Sequence, residues 1–122
     1  MGETIQTRCC IAGGGPAGMM LGFLLARAGV DVQVLEKHAD FLRDFRGDTV
    51  HPSTLELMYE LGILEEFLKR PHQEVRELEG QVGSETVPIA DFTHLPTHCK
   101  FAALMPRIGL VTFCFNVICK AL

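Results

Sequence analysis

Six residues near the N-terminus, Gly13-Gly14-Gly15-Pro16-Ala17-Gly18, have the types and spacing to hold a diphosphate. Gly13 lets the chain reverse sharply, because it has no Cβ to clash. The bare backbone at Gly15 lets an anion come close. Gly18 lets a helix sit tight against a strand, and Gly22, four positions on, extends that same helix face. A helix opening here offers free N–H groups and the positive end of its dipole. Pro16 loses nothing there, since its missing N–H would have no helical partner. Glu36 supplies a carboxylate that can accept hydrogen bonds from ribose hydroxyls, and its charge disfavours a 2′-phosphate.

These residues need three elements to position them. Cys9-Cys10-Ile11-Ala12 is an apolar run of strand type, Met19 to Ala28 is helix-like, and Val30 to Leu35 is a second strand ending on Glu36. Gly29 suits the helix C-terminus. Strand, glycine turn, helix, strand, acid is the order of a dinucleotide-binding unit. A glycine triplet alone also occurs in ordinary turns. Here the flanking elements and the acid agree with one another, which favours a ligand over a plain turn.

The bulk properties bound the rest. A chain of 122 residues allows one domain at most, on a scale of about 150 residues per domain. Apolar residues make up 48% of it, enough for a globular core. The formal net charge of −4 gives no basic footprint for nucleic acid. Five cysteines form no paired framework and read as reduced structural thiols of a cytoplasmic protein. Cys9 and Cys10 fall in a strand expected to be buried, with side chains on opposite faces. The polar start, Met1 to Arg8, is no secretory signal. The longest apolar stretch, Ile108 to Cys119, is too short for a transmembrane segment and contains Asn116.

Beyond the first unit, Lys37 to Val50 reads as a loop with a short helical turn around Phe41, Leu42 and Phe45. Ser53-Thr54-Leu55-Glu56 matches a capping box, with Ser53 as N-cap. Leu55, Met58, Leu61, Leu64 and Leu68 mark a helical stripe, which Gly62 divides into two short helices ending near Arg70-Pro71. Between Gln73 and Asp91, two strands are expected around a turn at Gly83-Ser84, with one face wet. Asp91 to Lys100 reads as loop. The apolar stretch from Phe101 to Leu122 is compatible with strand, helix or both.

Other constellations are weak. His94 and His98 have helical ligand spacing, but Pro96 between them spoils the helix, so no metal site is expected. Glu65-Glu66 reads as a solvated face. No nucleophile elbow stands out. Tyr59, the single tyrosine, is followed four residues later by Ile63, so a Tyr-x-x-x-Lys dehydrogenase pair is absent.

Two segments carry a resemblance. CCIAGGGPAGMMLGFLLARAGVDVQVLEKH and FRGDTVHPSTLELMYELGILEEFL resemble the FAD-dependent monooxygenases of the aromatic-ring hydroxylase type, the group of para-hydroxybenzoate hydroxylase and the ubiquinone-pathway hydroxylases. The first is similar to the family's ADP-binding motif. The second is similar to its arginine–proline–threonine–leucine–glycine segment, here Arg46, Pro52, Thr54, Leu61 and Gly62. The resemblance covers residues 6 to about 106.

It implies an α/β fold: a Rossmann-like FAD-binding β-α-β unit, then helices, then the start of an antiparallel substrate-domain sheet, in an incomplete domain. Residues 1–72 would be the N-terminal part of the FAD-binding domain, 73–100 the start of the substrate-domain sheet, and 101–122 a divergent apolar tail. The implied cofactor contacts are Gly13, Gly14, Gly15, Pro16, Ala17, Gly18, Glu36 and Lys37, with Arg46 and Arg107 toward the rest of FAD. NAD(P)H is the implied reductant. An aromatic or similar small molecule, which receives one oxygen atom of O2, is the implied substrate. No catalytic side chain is implied, since the flavin carries the chemistry.

The sequence also departs from the family. IGLVTFCFNVICKAL, after Arg107, is unlike the family's helix there, as if the tail were not native sequence. The family's Asp-Gly motif is absent, and Gly47-Asp48-Thr49-Val50-His51-Pro52 imitates its third motif only by coincidence. Most of a family enzyme is therefore expected beyond Leu122. That leaves two alternatives: a non-catalytic nucleotide-binding fragment, poorly soluble by itself, or a piece of an NAD-dependent dehydrogenase.

Overall fold

The structure, a computed structural model, describes residues 4–39 and 49–121. Two compact units are present: residues 1–44 with 108–122, and residues 45–107.

In the first unit, β1 (Cys9–Ala12) and β2 (Val32–Leu35) pair in parallel, with Cys9 opposite Val32 and Ala12 opposite Leu35. Between them runs α1 (Pro16–Arg27), which buries Met19, Gly22 and Phe23 on one face. Its end is a Schellman motif: the Val30 N–H donates to the Leu25 carbonyl and the Gly29 N–H to that of Ala26. Gly29 takes φ +77°, the left-handed conformation this cap requires. Cys10 is exposed and Cys9 only half-buried, against the expected burial. The described strands of this sheet are only these two, so β1 lacks the second strand neighbour that would bury it.

The second unit begins with β3 (Thr49–Val50), in a stretch expected to be loop. α2 (Pro52–Glu60) and α3 (Leu64–Leu68) follow, separated at Gly62 as its sequence position requires. Gly62 has φ +74°, and the Ile63 N–H donates to the Met58 carbonyl in a second Schellman motif. The buried face comprises Leu55, Met58, Leu64 and Phe67, with Phe67 replacing the expected Leu68.

The capping box does not form. His51 is the N-cap, Pro52 occupies the first helical position, and no side chain caps the end. Proline's preset φ starts the helix before Ser53 can cap it. Glu56 turns elsewhere. One carboxylate oxygen accepts the His98 N–H at 2.9 Å and the other meets His98 Nδ1 at 2.9 Å. These bonds hold the Glu56 carboxyl below its ordinary value, the His98 backbone N–H contributing most. Tyr59, one turn along α2, stacks on the His98 ring at 3.4 Å.

The stretch from Gln73 to Asp91 holds three strands rather than two. β4 (Gln73–Val75) pairs with β7 (Ala102–Leu104), which also pairs with β3, giving the antiparallel order β3-β7-β4. β5 (Glu77–Val82) and β6 (Glu85–Asp91) form the expected hairpin across Gly83-Ser84. Gly83 has φ +65° at the first loop position, the pattern of a type II′ turn. Its apolar side chains Leu78, Val82, Val87 and Ile89 are 41–71% exposed, so neither face is dry. Residues 92–100 are irregular. Burial raises the Cys99 thiol pKa above its ordinary value.

The last stretch turns out to be both strand and helix: β7, then α4 (Arg107–Ala121). Phe113, Cys114 and Val117 of α4 are buried.

Candidate functional site

The site is built at the C-terminal ends of β1 and β2, where parallel sheets characteristically receive nucleotides. At the end of β1 the Gly13 N–H donates to the Leu35 carbonyl at 2.7 Å, tying the turn to β2. Gly13 then takes φ +119°, a conformation that an L side chain rarely adopts. Gly15 is the N-cap of α1 with extended backbone (φ −70°, ψ 178°), and its carbonyl accepts the Met19 N–H at 2.9 Å.

The start of α1 is open in the sense that matters for an anion. No side chain caps it, Pro16 stands at the first position, and no acidic residue lies in the first turn. The N–H groups of Gly15, Ala17 and Gly18 precede the first carbonyl their helix could offer them. The dipole's positive end is thus not offset by a first-turn carboxylate.

Close packing sets the shape of the turn. A Cβ on Gly18 would lie 1.9 Å from the Gly13 carbonyl oxygen and 3.4 Å from Cγ2 of Ile11. A Cβ on Gly14 would lie 2.9 Å from Cβ of Glu36. Both positions therefore need glycine for space, whereas Gly13 needs it for its dihedral angle. Gly22 is buried on α1, as its place on that helix face predicts.

Glu36 follows β2 directly. One of its carboxylate oxygens accepts the Gly14 N–H at 2.9 Å and the other accepts the His38 N–H at 3.0 Å. Sequence reasoning missed the Gly14 bond. It depends on the strand register, which no sequence signal carries: with Ala12 opposite Leu35 in a parallel pair, the residues that follow both strands lie side by side.

The structure brings Gly13, Gly14, Gly15, Pro16, Ala17, Gly18 and Glu36 together, with Lys37 exposed beside Glu36. Arg46 lies outside the described residues. Arg107 is the first residue of α4, so a helix follows it, one of the outcomes the apolar tail allowed. Among the described residues, no group of His, Cys, Asp or Glu could hold a metal ion. No helix of the described residues is long and apolar enough to cross a membrane.

A cradle of bare backbone at an uncapped helix start fits the diphosphate of a dinucleotide. Comparison with known proteins identifies which one. The sequence profile of the FAD binding domain matches residues 6–109. The chain belongs to this FAD-binding family. Its cofactor is FAD. The chain is 30% identical over 107 residues to 6-methylpretetramide 4-monooxygenase of Streptomyces rimosus, covering 88% of this chain and 26% of that protein. It is 36% identical over 101 residues to the uncharacterized aromatic compound monooxygenase YhjG of Bacillus subtilis, covering 80% of this chain and 19% of that protein. Its fold matches the anhydrotetracycline hydroxylase OxyS of Streptomyces rimosus with a TM-score of 0.79 and 29% identity, over 96% of this chain and 23% of that one. The FAD-binding chain thus spans about a quarter or less of each of these relatives.

Proposed function

We propose that this chain holds the ADP half of FAD in a flavoprotein monooxygenase that hydroxylates an aromatic small molecule with NAD(P)H and O2. One observation carries the reading: the cradle at Gly13–Gly18, sterically closed to any side chain at Gly18, opens on an uncapped helix start in a member of the FAD-binding family. The names of the two sequence relatives, both monooxygenases, support the reaction class.

In this reading the N–H groups of Gly15, Ala17 and Gly18 meet the pyrophosphate. Gly13 and Pro16 shape the approach, and Glu36 accepts ribose hydroxyls with Lys37 beside it. Arg46 and Arg107 serve the remainder of the cofactor. Residues 1–72 act as the N-terminal part of the FAD-binding domain, and residues 73–100 begin the substrate-domain sheet. The protein works in the cytoplasm. FAD, once bound, supplies hydride acceptance and oxygen activation, while the protein supplies binding and orientation.

The test is direct. The purified chain is incubated with FAD or with NAD and desalted. Retained yellow flavin is expected, with FAD preferred over NAD. Gly15→Leu should abolish retention by blocking the diphosphate. Preference for NAD would overturn the reading.

A further inference from the structure

We infer that Glu36 is a positioning residue for the diphosphate loop, fixing it before any cofactor arrives, in addition to its role at the ribose. The inference rests on the proposed FAD-binding reading for its purpose, and on the geometry of the loop for its substance.

Three observations carry it. The Glu36 carboxylate accepts the Gly14 N–H at 2.9 Å, inside the glycine turn. Its second oxygen accepts the His38 N–H at 3.0 Å, so the carboxylate is held from the β2 side as well. Gly14 is buried, and a Cβ there would lie 2.9 Å from Cβ of Glu36, so the bare backbone at 14 is what admits the side chain.

Physical consequences follow. Hydrogen bonds to ionised acceptors are among the strong ones. This one joins the ends of two strands that the Gly13 N–H already ties to the Leu35 carbonyl. Two successive N–H groups of the turn, at Gly13 and Gly14, are thereby both held, and the Gly14 N–H is assigned to the carboxylate. Labour in the turn is divided: Gly14 anchors the loop, while the donors at Gly15, Ala17 and Gly18 remain for the phosphates. A loop fixed in advance spares the ligand the cost of ordering it.

A residue acting only through the ribose would leave the cofactor-free loop unchanged when replaced. A positioning residue would not. The experiment compares the full chain with Glu36→Ala and Glu36→Gln by amide hydrogen exchange at Gly14 without cofactor, followed by FAD titration. The Gln oxygen can still accept one backbone N–H. Gly14 should exchange about tenfold faster in Glu36→Ala, the effect of losing one such bond. It should stay within about threefold of wild type in Glu36→Gln, a rescue that general unfolding would not give. Equal Gly14 exchange in wild type and Glu36→Ala overturns the inference. If the exchange pattern is as expected but wild type retains no FAD, the FAD-binding reading falls and the loop anchor stands.

Discussion

Adding one methyl group at Gly18 probes the turn at its tightest point. The new Cβ would stand 1.9 Å from the Gly13 carbonyl oxygen and 3.1 Å from its carbon. Contacts below 3.0 Å are essentially never seen for real Cβ atoms, so the helix or the turn must move by at least about 1.1 Å. The obstacle is backbone and cannot swing aside. Gly13 is also pinned by its own bond to the Leu35 carbonyl at 2.7 Å.

Overpacking of this kind costs about 1–3 kcal/mol. Alanine's better helix propensity returns at most about 1 kcal/mol. The net loss, up to about 2 kcal/mol once that return is taken off, should lower Tm by up to roughly 10 °C. The effect on cofactor should be larger. A shift of that size takes N–H groups out of hydrogen-bonding range of a diphosphate, and each bond to a charged acceptor is worth about 1.5–3 kcal/mol. FAD affinity of Gly18→Ala should therefore fall at least about tenfold. Flavin fluorescence titration and a thermal melt measure the two effects. A variant with wild-type affinity and wild-type Tm would refute the claim that this contact shapes the site.

Three further outcomes follow from the second unit. Glu56 has a depressed folded pKa, so its contribution to stability is present above the ordinary value of 4.5 and is lost as pH falls through the lower folded value. NMR titration should show the His98 amide shifting below pH 4.5, and Glu56→Gln should remove that step. Gly62→Ala places a side chain at φ +74° in otherwise open space, so it should cost about 1–2 kcal/mol from backbone strain alone. A denaturant melt reads that loss, and a neutral result would mean the helix break does not depend on the left-handed cap. Phe67, fully buried, should cost about 3–5 kcal/mol when replaced by alanine. Chemical denaturation at unchanged m-value would measure it, and a loss below about 1 kcal/mol would show that α3 is not part of the core.

Much of the site was legible from the chain itself, because its parts are local. Gly13, Gly29, Gly62 and Gly83 all adopt positive φ, and each marks a turn or helix end that its place in the sequence had indicated. Strand, helix and strand around the glycines follow from runs of a few residues. The pairing of β4 with β7 was not legible, since it joins Gln73 to Leu104 across a long loop and hairpin. Nor was the fate of Phe101 to Ala121, where an apolar run without clear period serves strand and helix alike.

The two carboxylates mark the boundary between what sequence decides and what it cannot. Glu56 stood where a capping box wants an acid, yet His98, 42 residues away, took both its oxygens. Glu36 stood where a ribose wants an acid, and the register of two parallel strands brought it onto Gly14 as well. A left-handed dihedral angle is a limit within one residue, so the sequence by itself determined the turns at Gly13, Gly29, Gly62 and Gly83. Which distant donor reaches a carboxylate depends on where whole elements come to rest, and only the tertiary structure decided that.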